Sequence, residues 1–183
     1  MKGQLLQIAS LGNPVLRKKA KPVNNVKARE IQKCIDDLLT TVMDVNGVGI
    51  SAPQVYQSYR IFIVASHPNP RYPNAPLMKP TPIINPKILS HNKEIKKDWE
   101  ACLSIPGLRG LIARYTEITV SYRDRKGEKV KRTFTDFIAR IVQHEYDHLD
   151  GLLFTDRVES NRDLISDKEY FQLLQSRKLT KRL

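Results

Sequence analysis

The chain has 183 residues, 40% of them hydrophobic, enough to bury one sizeable core, and no linker-like or low-complexity segment asks for a second domain. Its 31 Lys and Arg against 19 Asp and Glu give a formal net charge of +12, which favours a polyanionic neighbour such as nucleic acid or the ribosome without saying which. Two cysteines fit a reducing compartment, and the opening MKGQLLQIASLGNP is too short and too broken an apolar run for a signal peptide or a span, so a cytoplasmic location with no membrane partner is expected.

In chain order, Asn24 to Asn46 carries Val26, Ile31, Ile35, Leu38, Leu39 and Val42 at helical spacing, with Asn24 or Asn25 available as N-cap and Gly47 beyond the end. Cys34 lies beside that stripe and reads as a small core residue. GVGISAPQ, residues 47–54, follows; its glycines let the backbone approach something closely, but neither the spacing nor a lysine makes it a phosphate loop. IFIVA at 61–65 reads as a strand. Five prolines in SHPNPRYPNAPLMKP, 66–80, predict an irregular surface loop with His67 an ordinary loop residue. Strands are expected at Pro82 to Leu89 and Glu94 to Trp99, and a hairpin from TEITVSYRD and EKVKRTFT about the turn Asp124 to Gly127. Ser166 to Glu169 is a capping box opening a last amphipathic helix with Tyr170, Phe171, Leu173 and Leu174, before the basic tail of Arg177, Lys178, Lys181 and Arg182. The layout is α+β: strands in the middle, helices at both ends, one domain over 1–183 with a basic C-terminal helix and tail at about 166–183.

The chemistry concentrates in DFIARIVQHEYDHLDG, 136–151. Ile138, Ile141, Val142 and Leu149 form an apolar stripe, Asp136 can cap the start, and Gly151 suits the left-handed position after the end. On such a helix His144 and His148 lie one turn apart on one face and can share a cation, while Glu145 stands close enough to take a proton from a water the cation activates. Two ligands are too few for a catalytic site. A third histidine at the metzincin spacing is absent, since Phe154 stands there; Glu159 or Glu169 could nominally serve, and Cys102 in WEACLSIPGLRG is the upstream candidate.

GVGISAPQ, EACLS and QHEYDH, in this order, resemble the three motifs of the peptide deformylases, GxGxAAPQ, EGCLS and QHExDH; PVLRKKAKPV and INP at 84–86 extend the likeness to about residue 158. The resemblance implies a fold of antiparallel strands packed around a central helix bearing H-E-x-x-H. It implies metal ligation by Cys102, His144 and His148, acid/base work by Glu145, and an oxyanion held by Gln54 and the backbone N–H of Leu103. Val48, Gly49, Ile50, Arg109, Phe137 and Ile141 fall where the family lines its substrate cleft and methionine pocket. The implied reaction is removal of the formyl group from formyl-methionyl nascent peptides, releasing formate, with Fe2+ as cofactor and Zn2+, Ni2+ or Co2+ as substitutes; ligand softness alone allows iron or zinc. Docking on the ribosome through the basic tail is a further expectation.

Two positions depart from the family pattern. Ala101 replaces a glycine, which at positive φ would cost about 1–2 kcal/mol; Ser51 replaces an alanine and, if buried, needs a hydrogen-bond partner. A weakly active paralogue, an H-E-x-x-H metallopeptidase that does not need Cys102, and a basic nucleic-acid module are the rival readings. No sequence-specific nucleic-acid motif is present.

Overall fold

The computed structural model describes residues 3–180, with side chains through Ser176. Its first long element, α1 (Arg29–Asp44), buries the stripe Ile31, Cys34, Ile35, Leu38 and Val42. It starts five residues later than the periodicity suggests: Ala28 occupies the N-cap with no side-chain cap bond, and Asn25 instead accepts the Lys27 N–H at 3.0 Å, shaping a turn ahead of the helix. At its other end Asn46 adopts φ 52°, and the Gly47 N–H donates to the Val42 carbonyl at 2.8 Å.

The strands are β1 (Gly49–Ser51), β2 (Ile61–Val64), β3 (Thr81–His91), β4 (Ile95–Cys102), β5 (Ile105–Tyr115), β6 (Glu117–Arg123), β7 (Lys129–Thr135) and β8 (Leu164–Ser166). They form one five-stranded sheet of order β1-β2-β3-β6-β7 and one three-stranded sheet of order β4-β5-β8, and every strand pairing within them is antiparallel. The all-apolar β2 is explained by burial on both faces: Ile61 and Ile63 join the cluster built on α1, while Phe62 and Val64 join the cluster built on Ala139, Ile141, Val142 and Leu149 of the second helix.

β5 and β8 are absent from the sequence reading. PGLRG carries a proline and two glycines, Gly107 at φ 79°, which mask an eleven-residue strand. β5 runs against β4 from Ile95↔Tyr115 to Ala101↔Arg109, leaving Leu103 and Ser104 at the hairpin tip. In β3, INP marks an irregularity: Asn85 has φ 49°, the register shifts between Ile84 and Lys87, and the Asn85 amide pairs with both backbone groups of Val23 at 2.8 and 2.7 Å.

The second helix, α2 (Asp136–Leu149), packs on β1, β2, β6 and β7 of the larger sheet and on β5 of the smaller. Asp136 is not its cap. It is the first helical residue, at φ 49°, with its N–H on the Thr116 carbonyl at 2.7 Å, and Thr135 holds the N-cap without a side-chain bond. Gly151 has φ 76°, as its place after the helix requires, and a Cβ there would meet the Arg17 carbonyl at 2.6 Å. The third helix, α3 (Asp167–Thr180), begins where the Ser166 hydroxyl accepts the Glu169 N–H at 3.3 Å. The basic tail lies outside the residues whose side chains are described. No helix among the described residues is long and apolar enough to cross a membrane.

Candidate metal centre

Cys102 ends β4, and His144 and His148 stand one turn apart on α2. One ligand atom from each converges, all within 4.8 Å of one another, and Cys102 Sγ lies 3.3 Å from His148 Nε2. A tetrahedral ion with sulfur at about 2.3 Å and nitrogen at about 2.0 Å separates these two donors by roughly 3.5 Å, so the cluster fits a single divalent ion of the zinc or iron kind. His144 presents its Nε2 side inward because Nδ1 is occupied by Glu100 at 2.9 Å.

Glu100 is the hub of a buried ionic network. It accepts Arg114 Nε and Nη2 at 2.9 and 3.0 Å and Arg140 Nη1 at 2.9 Å, and Arg114 Nη1 continues to Asp147 at 2.6 Å. Asp147 also takes Arg157 at 2.6 Å. Burial on its own would raise the Glu100 carboxyl, but Arg114 and His144 hold it well below the usual range. Burial would likewise lower His144, yet its bonds to Cys102 and Glu100 carry it well above the ordinary histidine value, while burial takes His148 well below. Glu100, Arg114, Arg140 and Asp147 escaped the sequence reading. The signal for Glu100 was present: it is two residues from Cys102 on a strand, hence on the same face.

Glu145 is 4% exposed, burial pushes its carboxyl up to about 7, and Oε2 has no hydrogen-bond partner among the described residues. The close approach that the glycines of GVG allow is to this residue: a Cβ on Gly49 would lie 2.6 Å from Glu145 Oε1. Gln54 is buried, its Oε1 accepting the Ser51 N–H at 2.9 Å and the Ser51 hydroxyl at 3.0 Å. Its Nε2 consequently faces Cys102 Sγ at 3.5 Å and Ser104 Oγ at 3.2 Å. Ser51 thus has its partner and sets the amide's orientation. Ala101 lies in β4 where the register against β5 shifts between it and Cys102, yet it is not among the positive-φ residues, so the anticipated strain does not arise.

These groups open on a partly enclosed cavity, to which Val48, Gly49, Gln54, Cys102, Leu103, Phe137, Ile141, His144 and Glu145 all contribute. Two expected lining residues do not. Ile50 is fully buried in the cluster around α1, and Arg109 is fully buried beneath α3, its Nε on Asp167 at 2.6 Å and its guanidinium 4.1 Å from the Tyr170 ring. The proline-rich loop supplies lining that went unread, Arg71 and Tyr72, the latter 5.1 Å from Phe137. His67 is more than a loop residue: its ring nitrogens lie 2.7 Å from the Ala65 carbonyl and 2.6 Å from Asn46 Oδ1, and Arg71 holds the Val45 and Asn46 carbonyls at 3.0 and 2.7 Å.

Two imidazoles and a cysteine sulfur converging beside a buried carboxylate, in the lining of one cavity, are the donor set of a metal-dependent hydrolase. The sequence profile of the family described as Polypeptide deformylase matches residues 5–163, and the chain belongs to that family. It is 59% identical over 174 residues, 95% of this chain and 97% of the other, to peptide deformylase 2 of Nostoc sp., and 38% identical to peptide deformylase 1 of Nitrosomonas europaea over 85% and 88% of the two chains. Among solved structures it resembles a class I type b peptide deformylase of Acinetobacter baumannii with Met-Ala-Ser bound, at TM-score 0.83 and 44% identity over 86% of this chain and all of that one. A peptide deformylase of Synechococcus elongatus in complex with actinonin gives TM-score 0.76 at 34% identity, covering 89% and 86%.

Proposed function

We propose that this deformylase removes the formyl group from formyl-methionyl nascent peptides and releases formate, with Cys102, His144 and His148 holding one divalent ion. The observation that carries the reading is the convergence of those three ligand atoms within 4.8 Å, beside a carboxylate that burial raises to about 7. Bound there, the ion supplies Lewis acidity, polarising the formyl carbonyl and lowering the pKa of a water from about 15.7 toward about 7. Glu145 accepts a proton from the attacking water and returns it to the peptide nitrogen as the C–N bond breaks. Gln54 Nε2 and the Leu103 backbone N–H donate to the developing oxyanion, each contributing about 3–4 kcal/mol in sites of this kind. Val48, Gly49, Phe137 and Ile141 accommodate the methionine thioether, and β1, an edge strand, offers backbone pairing to the residues behind it. Ile50 and Arg109 act from behind the cleft, as core and as support for α3.

Residues 1–183 form the single catalytic domain, acting in the cytoplasm. The resident ion is Fe2+, with Zn2+, Ni2+ or Co2+ able to replace it; iron predicts activity lost on exposure to air, and identical aerobic and anaerobic turnover would refute it. The tail Arg177, Lys178, Lys181 and Arg182 docks on ribosomal RNA, so deleting 176–183 weakens co-sedimentation with ribosomes and flattens its salt dependence; unchanged association would refute that role.

The decisive experiment is metal analysis of anaerobically purified protein with a formyl-Met-Ala-Ser assay. We expect one ion per chain, and for Glu145→Gln a retained ion with turnover lowered by at least about 100-fold. Sub-stoichiometric metal in the wild type, or near-normal turnover in the variant, would overturn the assignment.

A further inference from the structure

The face of the larger sheet turned away from α2 is only half covered. α1 packs on β1 and β2, and beyond it β3, β6 and β7 present a three-strand surface to solvent. Register fixes what stands there. Lys87, Ser121 and Lys131 lie in one row across the strands, Ser90, Thr119 and Thr133 in the next, and Arg123 pairs with Lys129 at the turn end. The intervening Ile118, Val120, Tyr122 and Phe134 point the other way, into the cluster shared with α2.

Lys87, Arg123, Lys129 and Lys131 are all exposed, and none has a carboxylate partner among the described residues. By contrast Lys33 and Lys97, outside this face, pair with Asp37 and Glu159. No acidic residue occurs within these rows. Glu117 stands beyond them at one end, and Asp124 and Glu128 lie in the β6–β7 turn at the other, where Asp124 Oδ1 accepts the Lys126 and Glu128 N–H groups at 2.8 and 2.9 Å. Arg123 also lines an open groove with Asn24, Asn25, Lys27, Lys126 and Glu128, which adds two more exposed cations at that corner.

We propose that this face is a docking surface for duplex RNA, holding the phosphate backbone without reading base sequence. Charge complementarity selects the partner: four unpaired cations on a bare face, in a chain of net charge +12, suit a polyanion. The backbone positions of Lys129 and Lys131 are about 7 Å apart along β7, and Lys87 and Lys131 about 10 Å apart across two strand spacings, so several phosphates can be held at once. The serine and threonine hydroxyls between the cations donate to phosphate oxygens. Sheets that hold single strands do so by stacking bases on aromatic side chains, and these rows carry none, so the duplex is the form that fits. Of the large apolar side chains on these three strands only Leu89 is exposed, too little to insert into an anionic membrane. The inference stands independently of the deformylase reading and of the basic tail.

The test is fluorescence anisotropy of a labelled RNA duplex titrated with the full-length, metal-loaded protein across a salt series. It compares the wild type, the triple variant Lys87→Thr/Lys129→Thr/Lys131→Thr, the charge-preserving Lys129→Arg/Lys131→Arg, and Lys97→Thr as control. Threonine suits exposed strand positions, and a urea midpoint no lower than that of the wild type reports an intact fold. We expect the triple variant to bind about tenfold more weakly at about 50 mM salt, with the slope of log K against log salt shallower by about two to three. The arginine variant and Lys97→Thr bind as the wild type does. Absence of wild-type binding at low salt would overturn the surface, as would wild-type affinity and slope in the triple variant, or an arginine variant as weak as the triple one. Tighter binding of a single strand of the same sequence would overturn the duplex assignment. Binding of phosphatidylserine vesicles without binding of RNA would overturn the proposal in favour of a membrane.

Discussion

Cys34 illustrates how far a single environment can silence a reactive group. Burial, reinforced by the nearby Asp37, pushes its thiol from the usual 9.0 up to about 12. Below pH 9 the thiol is protonated in both the folded and unfolded chain and stability is unaffected. Between pH 9 and 12 the unfolded chain sheds a proton that the folded chain keeps, so stability falls as pH rises, by up to about 1.4 kcal/mol per unit. Denaturant unfolding of wild type and Cys34→Ala at pH 8, 9 and 10 should show the shallower alkaline decline in the variant; parallel declines would contradict this account. The same burial makes Cys34 inert to alkylation in the native protein at pH 8.

Strand β5 shows what an element can hide and what holds it. Gly110 lies where the strand passes the Phe154 ring, and a Cβ there would stand 2.8 Å from it. Gly110→Ala should therefore cost about 1–3 kcal/mol by overpacking, read as a lowered urea midpoint at unchanged slope; an unaltered midpoint would mean that Phe154 yields freely. β5 was illegible in the sequence because its glycines serve packing and turning rather than marking a loop. The proline-rich loop hid Arg71 and Tyr72 for a different reason, since irregular backbone has no period by which to say which side chains point inward. The elements that were legible have clear periods: the stripe of α1, the apolar run of β2, and the H-E-x-x-H face of α2. The three residues that converge, Cys102, His144 and His148, were legible as motifs, whereas the covering of Arg109 by α3 was not, because no motif records that a later helix folds over it.

At the scale of the whole molecule, the network centred on Glu100 fastens α2 to the smaller sheet, joining β4 through Glu100, β5 through Arg114, and α2 through Arg140, His144 and Asp147. Glu100→Gln keeps the shape but removes the charge that both arginines face. We expect metal affinity to fall by about 10–100-fold, measured by competition with a chelator, and stability to fall by about 3–5 kcal/mol, since buried cations lose their partner. Affinity equal to wild type would show that His144 needs no orientation. The two elements that carry the candidate ligands are also far apart in order of synthesis. Cys102 ends a strand near the middle of the chain, while His144 and His148 arrive some forty residues later on a helix that must seat against both sheets before its imidazoles meet the cysteine sulfur. A growing chain cut short before residue 148 lacks one of these three donors, so an ion held by all of them would be loaded only after the helix of the later part of the chain has been brought against the strand of the earlier part.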